Sequence, residues 1–358
     1  MSKYYTLTRI LRADATYNIV IGQRSNGKTY AVLKHMLEQY VKEGDECAVI
    51  RRHREDFQSR RGDNLFSALV SNGEVRKITK GEWNAVAYKR RAWFLAKDTD
   101  DGLQIAPEPF CYSFALTEME SDKGNSYPKL NNVLFDEFLS RRGYLPEEFV
   151  LFMNTVSTIT RRRKGVRFFM LGNTVNKYCP YFREMGLTKV PAMKPGDMAV
   201  YRFGESDLKV AVEMADKVTT KESDYYFAFD NPRLKMITGG AWEADVYPHL
   251  PKKYRPDDVL AEFFVQWEDA ILHCELVDGD GGLFVFVHPK TTPIKDPEED
   301  LVYSPEPSYR DNWLESIYKP TNRLTQEIAR LFKLGKVFYS DNETGEVMRN
   351  YLMWCRRT

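Results

Sequence analysis

Apolar positions along this chain fall into short, unbroken runs separated by glycine, proline and charge. Ile19-Val20-Ile21, Cys47-Ala48-Val49-Ile50, Val133-Leu134-Phe135 and Phe168-Phe169-Met170-Leu171 each predict a buried strand. Between them the period changes. Tyr30 to Tyr40 carries Val32, Met36 and Leu37 at helical spacing, and Pro146 to Thr160 places Phe149, Phe152, Met153 and Val156 on one face. Pro146 suits the first turn of that helix. Residues 55 to 80 read as helix and then loop. Trp83 to Leu95 alternates around Lys89-Arg90-Arg91, which predicts a β-hairpin with a basic tip. Strands alternating with helices predict an α/β fold with a mostly parallel sheet over residues 1–196.

The texture changes at Pro191, Pro195 and Gly196, so residues 197–224 are expected to be a linker segment with some structure. Residues 225–358 then form a second domain. Phe263-Phe264-Val265, Ile271 to Val277 and Leu283 to Val287 predict strands, the last two joined by the Gly279 to Gly282 turn. Asn322 to Leu334 predicts a helix, Lys336 to Tyr339 a strand and Val347 to Arg356 a helix, a small α+β layer.

The first strand runs directly into Gly22-Gln23-Arg24-Ser25-Asn26-Gly27-Lys28-Thr29, the complete G-x-x-x-x-G-K-[ST] pattern of a P-loop. Strand, glycine loop and helix are the context the motif requires. Gly22 and Gly27 allow backbone angles that a side chain forbids. The loop amides can therefore turn inward around phosphate oxygens at the start of a helix. Lys28 is placed to reach the outer phosphates and the Thr29 hydroxyl to hold Mg²⁺. ATP with Mg²⁺ is the expected ligand. The strand ending in Asp136-Glu137 reads as a Walker B segment, preceded by the turn residues Gly124-Asn125-Ser126-Tyr127-Pro128. Asp136 would bind the metal and Glu137 would act as general base on the attacking water. Asn173, at the end of its own strand, would sit beside the γ-phosphate and report the nucleotide state, or it is simply a turn residue after Gly172.

The chain has 358 residues and balances 52 Lys and Arg against 51 Asp and Glu, a net charge of +1. Such a length suggests two domains, and the charge does not advertise nucleic-acid binding as a whole. Basic residues cluster locally at Arg51-Arg52-His53-Arg54, Lys89-Arg90-Arg91, Arg161-Arg162-Arg163-Lys164 and Arg356-Arg357. The first cluster ends a strand, facing either the nucleotide or a subunit boundary, or else forming a salt-bridged loop. The third closes a helix, where one or two charges serve the helix dipole. Five cysteines without a C-x-x-C pair suggest reduced thiols. Five scattered histidines suggest no zinc site. The N-terminal residues lack a signal-peptide core and no run spans a bilayer, so an intracellular protein with no membrane partner is expected.

Taken together, IGQRSNGKTYA, the VIRRHR strand end, KGNSYP before VLFDEF, and TRRRKGVRFFMLGN followed by Tyr-Cys-Pro-Tyr-Phe resemble the DNA-packaging ATPases of small podovirus-like, phi-twenty-nine-like phages. The resemblance covers residues 17 to about 183. It implies a ring ATPase of the ASCE class, a homopentamer docked on the viral portal, that drives double-stranded DNA into an empty prohead in the host cytoplasm. A packaging RNA is a further partner in that setting. By the same resemblance Lys28 and Thr29 are the Walker A pair, and Asp136 and Glu137 the Walker B pair. Arg161 is a trans-acting arginine finger with Arg163 beside it. Arg54 is a basic residue acting on nucleotide within the subunit, and Asn173 is the sensor. The second domain would resemble an RNase H-like nuclease that has lost its activity, in keeping with the absence of a clear trio of strand-borne acids. A large terminase with a live nuclease and a P-loop kinase are the alternatives. A binding module without turnover is the remaining one.

Overall fold

The computed structural model describes residues 4–58, 60–118, 126–140, 144–145, 147–173, 179–216, 247–250 and 254–356. Pro146, the Gly124-Asn125 pair and residues 217–246 lie outside the described residues. The described residues before 217, apart from Tyr144 and Leu145, form one compact unit, and those after 246 belong to a second.

The first unit is built on a ten-stranded sheet. Its strands are β1 (Tyr17–Gly22), β2 (Glu46–Arg51), β3 (Ala85–Lys89), β4 (Ala92–Thr99), β5 (Gly102–Ile105), β6 (Cys111–Ala115), β7 (Leu130–Asp136), β8 (Arg167–Asn173), β9 (Met198–Arg202) and β10 (Lys209–Met214). Their order is β3-β4-β6-β2-β7-β8-β1-β10-β9, with β5 paired to β4. From β6 to β10 every neighbouring pair is parallel. The strands β1, β2, β7 and β8 are the four apolar runs of the sequence, and β1 is buried along its whole length. Such runs need cover on both faces. One face receives the helix Lys28–Glu43, whose Val32, Leu33, Met36 and Leu37 are buried. Gly44, at φ 75°, ends that helix and donates its N–H to the Tyr40 carbonyl at 2.9 Å. The helix Glu148–Thr160 brings Phe152 against Phe135, Phe168 and Tyr181.

Two strands fall where a linker was expected. Residues 198–214 complete the sheet, β10 pairing in parallel with β1 and β9 closing the edge. The pattern hid β10 because Glu213 interrupts it. That carboxylate is buried, accepts a hydrogen bond from the Tyr5 hydroxyl at 2.8 Å and lies 3.9 Å from Arg9. A buried charge with such partners is tolerated inside a strand. The first unit therefore continues past residue 196 to at least Asp216. The expected hairpin is β3–β4, with Arg90 and Arg91 both at positive φ in its turn.

The second unit holds a six-stranded sheet: β11 (Val259–Trp267), β12 (Ala270–Gly279), β13 (Gly282–Lys290), β14 (Val302–Tyr303), β15 (Trp313–Leu314) and β16 (Val337–Tyr339). Its order is β15-β14-β11-β12-β13-β16, antiparallel through β11-β12-β13 and parallel outside them. Phe263, Val265, Leu272, Cys274, Val285 and Val287 point to one face and pack with Ile328, Leu331, Phe332, Met348 and Tyr351. These last come from the helices Arg323–Leu334 and Asn342–Cys355. The final helix starts ahead of the expected Val347, because the Asp341 carboxylate caps it by accepting from the Thr344 N–H at 2.8 Å. Among the described residues no helix is long and apolar enough to cross a membrane.

Candidate functional site: the glycine loop and the acidic strand end

Register brings the site together. Gly22 at the end of β1 pairs with Asn173 at the end of β8, and Asp136 at the end of β7 pairs with Leu171. The carboxyl ends of three adjacent parallel strands thus open on one side, where ligands bind such sheets. A cleft of ≈ 390 Å³ lies there, lined by Arg24 to Tyr30, Asp136, Glu137, Leu171, Gly172 and Asn173. Gly172 is required: a Cβ there would lie 2.6 Å from Leu139 Cδ1. Gly22 and Gln23 are not part of that lining; their carbonyls face the Lys28 ammonium instead.

Lys28 is bent back onto its own loop. Its ammonium donates to the carbonyls of Gln23 at 2.8 Å and Gly22 at 3.2 Å, and to Asn26 Oδ1 at 3.0 Å. It also reaches Asn173 Oδ1 at 3.4 Å, which joins the Walker lysine to the expected sensor. The loop is shaped by positive φ at Ser25 (57°) and Gly27 (89°). Asn26 is 1% exposed, and its Nδ2 has no hydrogen-bond partner among the described residues. A buried donor left in that state is costly unless a ligand or solvent serves it. The Thr29 hydroxyl donates to Asp136 Oδ1 at 3.3 Å. A hydroxyl and a carboxylate at a helix start suit a hard divalent cation, so these residues fit Mg²⁺ held with a nucleotide.

Arg51 is a site residue that sequence reasoning missed. It closes β2, the strand beside β7, and its guanidinium lies 2.7 Å from Asp136 Oδ2 and 4.0 Å from Glu137 Oε2. The VIRRHR run was visible, but which of its arginines meets the acids depends on β2 neighbouring β7. Arg52 instead forms a two-pronged pair with Glu148, both bonds 2.7 Å, and donates to the carbonyls of Glu137 and Phe138. The Glu148 side chain is fully buried and also accepts from the Tyr181 hydroxyl at 2.9 Å. Arg54 does not reach the cleft lining of its own chain. It pairs with Glu118 at 3.0 Å.

Arg161 also stands outside this cleft lining. It is the exposed C-cap of the helix Glu148–Thr160. Arg163 turns inward, donating to Asn131 Oδ1 at 3.0 Å and to the carbonyls of Tyr127 at 2.8 Å and Leu130 at 3.0 Å. Within the basic cluster Arg163 is therefore an anchor.

Burial pushes the Lys28 ammonium down to about 8, with the Asp136 carboxylate pulling the other way. The group is still mostly charged at neutral pH. Above pH 8 it loses the charge that would hold phosphate. Affinity for a non-hydrolysable ATP analogue should be flat below that point. It should weaken about tenfold per pH unit well above it, because only the protonated form binds well. Lys28→Met should bind weakly at every pH. An affinity in the wild type that stays flat to about pH 9.5 would rule out this assignment of the titrating group. The same depressed value means that burying Lys28 costs stability below pH 8, a cost relieved as pH rises towards the ordinary lysine range.

A mostly parallel α/β sheet with a glycine loop, an acidic strand end and an intervening strand β8 between them belongs to the P-loop class of folds. Comparison with known proteins narrows this. The family model of the Podovirus DNA encapsidation protein (Gp16) matches residues 1–222, and this chain belongs to that family. It is similar to a DNA packaging protein of Bacillus phage B103, 29% identical over 184 residues, covering 50% of each chain. A DNA packaging protein of Bacillus phage phi29 is 26% identical over 185 residues, 51% of this chain and 49% of the relative. The match thus spans about half the length of these curated relatives. In three dimensions the chain is similar to the Phi-28 gp11 DNA packaging motor, with a TM-score of 0.57 and 18% identity over 99% of this chain and 98% of that one. It also resembles the bacteriophage Phi-29 viral genome packaging motor assembly, with a TM-score of 0.55 and 18% identity over 98% of this chain and 100% of that one. At such identity these likenesses establish the fold, and they cover both units.

Proposed function

We propose that this chain is the ATPase of a viral packaging motor, coupling ATP hydrolysis to movement of double-stranded DNA into a prohead. The reading is carried by one observation: Gly27, Lys28, Thr29, Asp136, Glu137 and Asn173 line one cleft in a chain of the encapsidation family. Mg²⁺ held near Thr29 and Asp136 would neutralise charge on the phosphates. Lys28 exchanges its loop carbonyls for phosphate oxygens. Arg51 lets go of Asp136, and Asn173 follows Lys28. Glu137 orients water and takes its proton. Arg161 reaches the next subunit's cleft in a homo-oligomeric ring, a pentamer by family resemblance. Arg54, which by resemblance acts on nucleotide within its subunit, would have to leave Glu118 to do so.

The ring would sit on the portal, with or without a packaging RNA, in the host cytoplasm while attached to the prohead. Lys89, Arg90 and Arg91 at the β3–β4 tip are the candidates for gripping DNA phosphates, a grip that is sequence-independent and weakens with salt. The order β15-β14-β11-β12-β13, antiparallel through β11-β12-β13 and parallel through β11-β14-β15, supports the reading of the second unit as RNase H-like; the loss of nuclease activity is implied by the family resemblance alone.

The direct test is ATP turnover by the full chain with and without double-stranded DNA. Turnover should rise severalfold with DNA, and the stimulation should fade as salt increases. Turnover indifferent to DNA at every salt concentration would remove the motor reading and bring the kinase reading forward.

A further inference from the structure

The outer face of the second sheet, opposite its core, carries a cluster that the scattered histidines of the sequence conceal. His273 on β12 stands directly opposite His288 on β13 in the ladder set by the hairpin turn. Their rings lie 4.6 Å apart between centroids. Glu275 is the next residue of β12 on the same face. One ligand atom from each of these three residues lies within 4.8 Å of the others. All three side chains are half-buried, so they are neither freely solvated nor locked in the core.

We propose that His273, His288 and Glu275 form a binding site for a borderline divalent transition metal, with Zn²⁺ as the best fit. Two imidazoles and one carboxylate are a donor set that zinc takes readily and that magnesium and calcium do not prefer. The surroundings are those of a held ligand set. Glu262 Oε2 lies 3.0 Å from His273 Nε2, the carboxylate–imidazole pairing that fixes a ligand histidine's tautomer. The Tyr254 hydroxyl donates to the Glu275 carboxylate and orients it. Phe264 stacks on the His273 ring at 4.9 Å, and Phe286 lies 5.8 Å from that of His288. Competing thiolates are absent, since the five cysteines are all buried. Three protein ligands leave one position of a tetrahedral shell for water or for a group from a partner.

The test uses untagged, chelator-stripped full-length protein, with Mg²⁺ in excess to fill the nucleotide-site chemistry and Zn²⁺ titrated by calorimetry. The expected result is one equivalent of Zn²⁺ bound to the wild type and none to His273→Gln/His288→Gln. Glu262→Gln should weaken the affinity about 10- to 100-fold, as loss of an outer partner does. Histidine-selective NMR of the wild type gives an independent reading that needs no variant. On adding Zn²⁺ the His273 and His288 ring signals should shift together while those of His35, His53 and His249 stay in place. No binding by the wild type, or unchanged binding by the double variant, would overturn the site. So would ring shifts at the other histidines in place of these two.

Discussion

Arg161→Ala is expected to hydrolyse ATP about a thousandfold more slowly than wild type, the lower end of what a missing arginine finger costs. It is also expected to recover when mixed with Glu137→Gln subunits. The geometry explains why this arginine, of four adjacent basic residues, is the one to test. The helix Glu148–Thr160 ends in two consecutive residues at positive φ, Arg161 at 47° and Arg162 at 64°. Such angles in residues with side chains cost about 1 kcal/mol or more each and persist only where neighbours enforce them. Here the enforcement is visible: the Arg161 N–H donates to the Ser157 carbonyl at 2.9 Å and the Arg163 N–H to the Thr160 carbonyl at 2.8 Å. The Arg163 side chain is pinned to the Tyr127–Asn131 stretch. A rigid turn therefore leaves Arg161 on the surface, outside the lining of its own cleft. In an equal mixture, about a quarter of the interfaces in a ring combine an intact Glu137 with an intact Arg161 from the neighbour. Recovery of turnover in the mixture means the finger acts between subunits. A dead variant that stays dead when mixed places the role within one subunit, and a variant with normal turnover has no finger at this position.

The sequence made the nucleotide site legible because its chemistry is local. Gly22, Gly27, Lys28 and Thr29 sit at a fixed spacing, and the acids follow their strand directly. The residues it hid depend on which strands are neighbours. Arg51 meets Asp136 only because β2 lies beside β7. Glu148 meets Arg52 across 96 residues of chain, a pairing that no local pattern marks. The strand β10 was hidden because Glu213, a charge inside it, is stabilised by Tyr5 from far away in the chain. His273 and His288 looked scattered because only the hairpin register puts them opposite one another. In the second unit the alternation of β11, β12 and β13 was readable, since one face of each strand meets the helices. The early start of the last helix was not, because Gly345 sits inside it and weakens the helical pattern.

Glu137→Gln should bind ATP with wild-type affinity and turn it over about 10²- to 10⁴-fold more slowly, the range a positioned general base contributes. The two adjacent acids are held in different ways, and this separates their roles. The Asp136 side chain is 7% exposed and fastened by Arg51 and Thr29, as suits a group that organises a cation. The Glu137 side chain is 66% exposed and opens on the cleft, where water can reach it. Its backbone is at φ 59°, a strained angle for glutamate. That angle is maintained by Arg52, which donates to the Glu137 and Phe138 carbonyls at 3.0 and 2.7 Å, and by the Phe138 N–H, which donates to Leu171 at 3.2 Å. Arg52 is in turn held by the buried Glu148. Strain kept in place by such a clamp aims the carboxylate while leaving it solvated. Glutamine keeps the shape and removes the base, so binding should survive and the chemical step should not. Asp136→Asn should do the reverse in part, weakening Mg²⁺-dependent nucleotide binding. Equilibrium binding of ATP alongside single-turnover hydrolysis separates the two variants. Near-normal single-turnover hydrolysis by Glu137→Gln would show that another group activates the water.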